Sequence, residues 1–148
     1  LDQTKTDSMK TIGIIGSRRR NENSDLRSCI EVFKTVYKKG DKIVSGGCPQ
    51  GGDRFAEVIA EHLGLTVENG YLILHEANWK KYGRGAGFQR NGYIAEDSDV
   101  LIAVVSPDRT GGTEDTITKA QKLGKRIVLV TDEKQEIEKL ADIIAESV

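Results

Sequence analysis

Eleven of the chain's sixteen glycines fall into four clusters, and the residues able to do chemistry sit in or beside them. Gly13 and Gly16 lead into Ser17 and Arg18. Gly46, Gly47, Gly51 and Gly52 enclose Cys48-Pro49-Gln50 and run into Asp53. Gly83, Gly85 and Gly87 surround Arg84 and precede Arg90 and Asn91, and Gly111-Gly112 opens onto Thr113, Glu114 and Asp115. Glycine lets backbone N–H groups approach a ligand closely. Where such a loop opens a helix, the free N–H groups and the helix dipole favour an anion, above all phosphate. These loops therefore predict a phosphorylated small molecule.

The usual phosphate signatures are nevertheless absent. No GxxxxGK[ST] is present, because the glycines near 47 and 52 are followed by Asp53, and no GxGxxG follows the first apolar run. ATP hydrolysis and NAD binding are disfavoured accordingly. The guanidinium of Arg90, and with it Arg84, suits a phosphate or a developing anion because its planar fork donates in pairs. Of Arg18, Arg19 and Arg20, Arg18 is expected to face the ligand and the other two to be solvent charges. Asp53, Glu114 and Asp115 have a plain reading as acids in a first helical turn, stabilising it by roughly 0.3–1 kcal/mol. Their functional reading is that Glu114 or Asp115 stabilises an oxocarbenium-like centre while Asp53 holds a ribose hydroxyl or organises its own loop. Ser17 and Thr113 suit a phosphate as donors and a helix as caps, with capping the expected role of Thr113 in an empty site. Trp79 and Tyr82 could stack on a base, although packing of the crossover against the sheet is the expectation for Trp79. Cys48 has no histidine nearby in sequence and is not read as a nucleophile.

The elements that must position these residues follow from periodicity. Thr11–Ile15, Lys42–Ser45, Asp99–Val105 and Lys125–Val130 are short apolar runs, the pattern of strands buried on both faces. Tyr71–His75 is a further strand, or else Asn69-Gly70 turns a small hairpin there. Between them, apolar residues recur at helical spacing from Ser24 to a stop at Gly40, from Phe55 to Gly64, over 88–97 and over 113–123. Ile137, Leu140, Ile144 and Val148 put an apolar stripe on a closing helix. Strands alternating with helices predict an α/β fold, a Rossmann-like three-layer sandwich around a five-stranded, mainly parallel sheet. Ligands collect at the carboxyl ends of such strands, where three of the glycine clusters lie.

Composition narrows the classes further. The chain has 148 residues, a length suited to one domain, and its formal charge of −1 argues against a general polyanion binder such as a nucleic-acid-binding protein. No apolar run approaches the roughly 20 residues of a membrane span. Cys29 and Cys48 form no CxxC, and His62 and His75 lack metal-pair spacing, so no disulfide, metal or cofactor is expected and a reducing cytoplasm fits best. Residues 1–8 are polar and unpatterned and are read as an appended leader before a single domain over residues 9–148, Met9 standing directly before the first strand.

Four segments together resemble a known family. They are Ser45–Glu57 (SGGCPQGGDRFAE), Trp79–Asn91 (WKKYGRGAGFQRN), Asp97–Val105 (DSDVLIAVV) and Thr110–Asp115 (TGGTED). In this order they are similar to the SLOG superfamily, most closely to its small YspA-type, cpYpsA-related branch. The resemblance runs from about Lys10 to Val130. It implies a Rossmann-like domain that binds nucleotides or nucleotide-derived ligands and associates with itself. Two relatives point to different activities. The Lonely guy enzymes release a base from a nucleoside 5′-monophosphate with an arginine, matched here by Arg90, and a PGGxGTxxE motif. Gly112-Thr113 matches its GT, but Thr116 stands where the glutamate would be, with Glu114 and Asp115 just before it, and the motif's proline is absent. The DprA proteins bind single-stranded DNA and share an Arg-Asn pair like Arg90-Asn91.

The sequence thus points to a nucleotide or nucleotide-derived ligand held by Gly111–Thr113 and Arg90. The favoured mechanism is cleavage of the N-glycosidic bond of a nucleoside 5′-monophosphate, with Arg90, Asp115 and Glu114 as the catalytic set; the alternative is sensing of a nucleotide signal without turnover, to which Thr116 in place of the glutamate points. Single-stranded nucleic-acid binding is the less favoured third.

Overall fold

The computed structural model describes residues 9–147; residues 1–8, expected above to be a leader, and Val148 of the expected closing stripe lie outside the described residues. Strands β1 (Thr11–Gly16), β2 (Lys42–Ser45), β3 (Leu72–Leu74), β4 (Val100–Val104) and β5 (Arg126–Val130) form one sheet in the order β3-β2-β1-β4-β5. Every pairing is parallel. The helices are α1 (Asn23–Val36), α2 (Gly52–Leu63), α3 (Trp79–Tyr82), α4 (Ala86–Asp97), α5 (Gly112–Lys122) and α6 (Glu133–Ser147), with a 3-10 turn over Gly83–Gly85.

Alternation along the strands divides the core in two. Ile12, Ile14 and Ile102 pack with Phe33 of α1 and Phe55 of α2 on one face. Ile15, Leu101 and Ala103 pack with Ile94 of α4 and Ile117 of α5 on the other. Both faces of β4 are buried, which is why it reads as a continuous apolar run.

Several expectations need correction. Helix α1 ends at Val36 rather than near Gly40, because the buried Asp41 accepts hydrogen bonds from Lys38 N (2.8 Å) and Lys10 N (3.0 Å) and fixes a turn there. The hairpin alternative at Asn69-Gly70 is not formed. Asn69 Oδ1 instead accepts from Thr66 N and Tyr71 N, and this turn feeds β3 parallel to β2. Trp79 does not pack on the sheet; it is 58% exposed on α3, with its ring beside Gly87. Helix α6 forms, but its stripe closes no core: Ile137, Leu140 and Ile144 are 57–63% exposed. Among the described residues no helix is long and apolar enough to cross a membrane.

Candidate functional site

The strand order reverses between β1 and β4, the sheet growing to one side through β2 and β3 and to the other through β4 and β5, so the loops beyond the carboxyl ends of these two parallel strands splay apart. A cavity of about 300 Å³ opens there. Its walls are the loop after β1, the loop between β2 and α2, one face of α4, and the loop from β4 into α5.

Glycine builds the narrow side. A Cβ on Gly52 would lie 2.1 Å from Gly16 N and Ile15 C, and one on Gly51, whose φ is +69°, would lie 2.5 Å from Ser17 O. Only this pair lets α2 start in contact with the backbone leaving β1. Gly46, Gly47, Gly51 and Gly52 therefore shape the loop without themselves lining the cavity, whereas Cys48, Gln50 and Asp53 line it. Arg54 ties the loop to its neighbour, donating to Asn21 Oδ1 and Asn21 O, each at 2.8 Å.

Asp53 is the carboxyl that enters the cavity. It accepts from Gly46 N (3.3 Å) and Cys48 N (3.1 Å), so it does organise its own loop. Burial pushes its pKa above the ordinary carboxylate value, against the opposing pull of those amides and of the Arg90 charge. Arg90 projects from α4 and donates to Gly46 O (3.3 Å) and Asn91 Oδ1 (3.3 Å). Asn91 is buried and donates to Gly112 O (3.3 Å) and Asp115 Oδ2 (3.1 Å), joining α4 to the start of α5.

The three consecutive arginines part company. Arg18 lines the cavity and, among the described residues, makes no ion pair or hydrogen bond through its side chain. Arg19 also lines it but is clasped by Asp108 at 2.7 and 2.8 Å, with Ser106 Oγ and Thr110 Oγ1 accepting from the same guanidinium. That clasp holds the Asp108 carboxyl well below the usual range. Arg20 is no solvent charge. It is 4% exposed, donates to Val105 O and Val130 O, and pairs with Asp25 at 2.9 Å.

At the wide side, Gly111 takes φ +102° ahead of α5. Gly112, Thr113 and Thr116 line the cavity, and Thr113 does not cap the helix, whose cap position is Gly111. Ser17 lines it too, its Oγ accepting from Arg19 N at 3.2 Å. Glu114 and Asp115 do not line the cavity. Glu114 is held by Arg109 at 2.8 and 2.9 Å, and Asp115 by Asn91 and by Lys119 at 2.7 Å. Arg109, at φ +54°, is the one non-glycine residue with positive φ among the described residues. Arg84 is exposed on the 3-10 turn outside the cavity. Of the site residues expected from sequence, the fold thus brings together Gly16, Ser17, Arg18, Asp53, Arg90, Asn91, Gly111, Gly112 and Thr113. It adds Arg19, Cys48, Gln50, Thr110 and Thr116, of which Cys48, Gln50 and Thr110 lie in segments that carry the family resemblance and Thr116 holds the place of the motif's glutamate.

Comparison with solved structures recovers the same fold. The molybdenum cofactor binding protein of the phototrophic bacterium Rippkaea orientalis is 21% identical, with a TM-score of 0.60 over 91% of this chain and 84% of that one. The molybdenum cofactor carrier protein of Chlamydomonas reinhardtii is 22% identical, with a TM-score of 0.59 over 93% and 86%. DNA processing protein A of Helicobacter pylori, which binds single-stranded DNA, is 20% identical, with a TM-score of 0.59 over 95% and 76%. No curated protein matches the chain. The sequence profile of the SLOG cluster4 family matches residues 9–147, and with the Rossmann-like sheet and its glycine-built cavity in view, the chain belongs to that family.

Proposed function

We propose that the cavity binds a nucleotide or nucleotide-derived ligand through its phosphate and does not turn it over. The observation that carries this reading is the pairing of Arg18, which has no carboxylate partner, with the first turn of α5, both on the wall of one cavity. The Gly112 and Thr113 amides face no intrahelical acceptor at that end of the helix, and with Arg18 and Arg90 they offer an anion charge-assisted donors from several sides. Asp53 would take a donor on the ligand's sugar or base. The molybdenum-cofactor proteins among the structural neighbours extend the candidates beyond mononucleotides.

Hydrolysis of an N-glycosidic bond is the second reading, favoured by one observation: a carboxyl, Asp53, does enter the cavity beside Arg90. Glu114 and Asp115 would serve it only after leaving Arg109, Asn91 and Lys119. Calorimetric titration with a panel of ribo- and deoxyribonucleoside 5′-monophosphates tests binding, and chromatography of the same mixtures tests for free base. Saturable binding that Arg18→Ala or Arg90→Ala weakens, with every nucleotide recovered intact, is the expected result. Base release lost in Asp53→Asn would assign catalysis to α2, and release lost in Asp115→Asn would assign it to α5. An oligothymidylate in the panel tests for single-stranded DNA. The absence of any binding would sink the proposal.

A further inference from the structure

At the rim of the cavity a carboxylate of the chain itself is held as an anionic ligand would be. Asp108 Oδ1 accepts from Arg19 Nη2 (2.7 Å), Ser106 Oγ (2.9 Å) and Thr110 Oγ1 (2.9 Å), and Asp108 Oδ2 accepts from Arg19 Nη1 (2.8 Å). Four donors from two loops thus converge on one anion. Arg19 and Thr110 line the cavity, whereas Asp108 does not. Part of the donor set therefore belongs to the cavity wall, and the carboxylate that fills it comes from outside. Stability alone is a poor reason for this arrangement. The side chains of Arg19 and Asp108 are 55% and 53% exposed, and an ion pair so open to solvent contributes little to folding. The backbone around it is also strained: Arg109, the next residue, takes φ +54°, and Gly111 takes φ +102°. Strain of this kind in a loop beside a cavity is a mark of ligand clamps and switch segments.

Resting on the reading of the cavity as a phosphate site, we propose that Arg19, Ser106 and Thr110 form a second anion subsite, which Asp108 fills until a second phosphoryl group of the ligand displaces it. Arg18 and the first turn of α5 take the first phosphoryl group. The ligand is then a nucleotide with two phosphoryl groups rather than a monophosphate. A terminal phosphoryl group suits the exchange, because it brings three oxygens and more negative charge to donors that now share the two oxygens of a carboxylate. It can engage the guanidinium fork and both hydroxyls together. The displaced Asp108 side chain already borders solvent, and Gly111 gives the loop the backbone freedom to carry it there. Asp108 in this way sets a threshold: an anion that cannot replace it gains nothing from Arg19, and one that can is held from both sides of the cleft.

Calorimetric titration of the full chain with inorganic phosphate and inorganic pyrophosphate tests it, on the wild type, Asp108→Ala, Arg19→Ala and the double variant. Removing an internal competitor raises apparent affinity by the share of time it held the subsite, so Asp108→Ala should bind pyrophosphate about threefold or more tighter than the wild type. The gain must run through Arg19. Arg19→Ala should weaken pyrophosphate binding, and adding Asp108→Ala to it should change nothing further, because the two residues act on one subsite. Asp108→Asn, which keeps the shape of the side chain, should move affinity in the same direction as the alanine and serves if the alanine disturbs the loop, as read by circular dichroism. A gain that survives Arg19→Ala overturns the proposal, since Asp108 would then act only by its charge. So does a wild type that binds phosphate and pyrophosphate while neither Asp108 variant binds pyrophosphate more tightly; the second subsite then falls and the reading of the cavity stands. If neither anion binds any of these proteins, both fall together.

Discussion

Arg90 and Asp53 both close over a single glycine at the cavity: a Cβ on Gly46 would lie 2.8 Å from both Arg90 Nη1 and Asp53 Oδ2. The two charges are thereby held near each other without forming an ion pair within 4.0 Å, and each keeps an edge for a ligand.

Gly46→Ala is therefore expected to displace both side chains. The overpacking should cost about 1–3 kcal/mol of stability, read by chemical denaturation, and nucleotide affinity should fall at least about tenfold in calorimetry. An alanine variant that binds as tightly as the wild type would remove Arg90 and Asp53 from the site.

Gly52→Ala should be far worse. The added carbon would meet backbone atoms of Ile15 and Gly16, which cannot swing aside as a side chain can. We expect a loss of about 3 kcal/mol or more, visible as a large drop in Tm or as failure to fold.

Neighbouring arginines should behave oppositely. Arg20→Ala removes the guanidinium that pairs with the part-buried Asp25 and donates to the buried Val105 O and to Val130 O, the last of which keeps only Val105 N, so it should destabilise the fold by about 3–5 kcal/mol. Arg18→Ala should leave stability within about 0.5 kcal/mol and lower ligand affinity instead. Thermal unfolding and calorimetry on the two variants separate the roles, and equal stability of both would show that Arg20 is not structural.

Asp53 sets a pH dependence. Its pKa is raised in the folded state, mainly by burial, so folding favours the protonated form. The stability it contributes is fully present below the unfolded value of about 3.9 and is lost as pH rises through the higher folded value. Tm should decline over that window in the wild type, relative to Asp53→Asn, which lacks the titration. Parallel pH profiles for the two proteins would show that Asp53 is not the group responsible.

The architecture was legible because it rests on local patterns. The apolar runs within Thr11–Ile15 and Asp99–Val105 are too short for helices and rich in β-branched residues, which makes them strands covered on both faces, and the helical spacing between them calls for crossovers and so a parallel sheet. The glycine clusters pointed to the sheet edge where the cavity opens for the same reason: a loop that must pass close to another backbone, as Gly51 and Gly52 pass Ser17 and Gly16, has no other residue to use. What the sequence could not decide was which charge serves the cavity and which serves the fold. Asp53, Glu114 and Asp115 look alike as first-turn acids, and Arg18 and Arg20 are two residues apart. Their roles depend on partners far along the chain: Val105 and Val130 for Arg20, Asn91 for Asp115, and the buried loop around Gly46 for Asp53. The same limit holds for α6, where periodicity fixes a helix and its apolar face, but what that face meets is settled only by which surfaces the completed sheet leaves uncovered. Local periodicity is a property of neighbours in sequence, whereas the desolvation and pairing of a charge belong to neighbours in space, and only the tertiary structure brings those together.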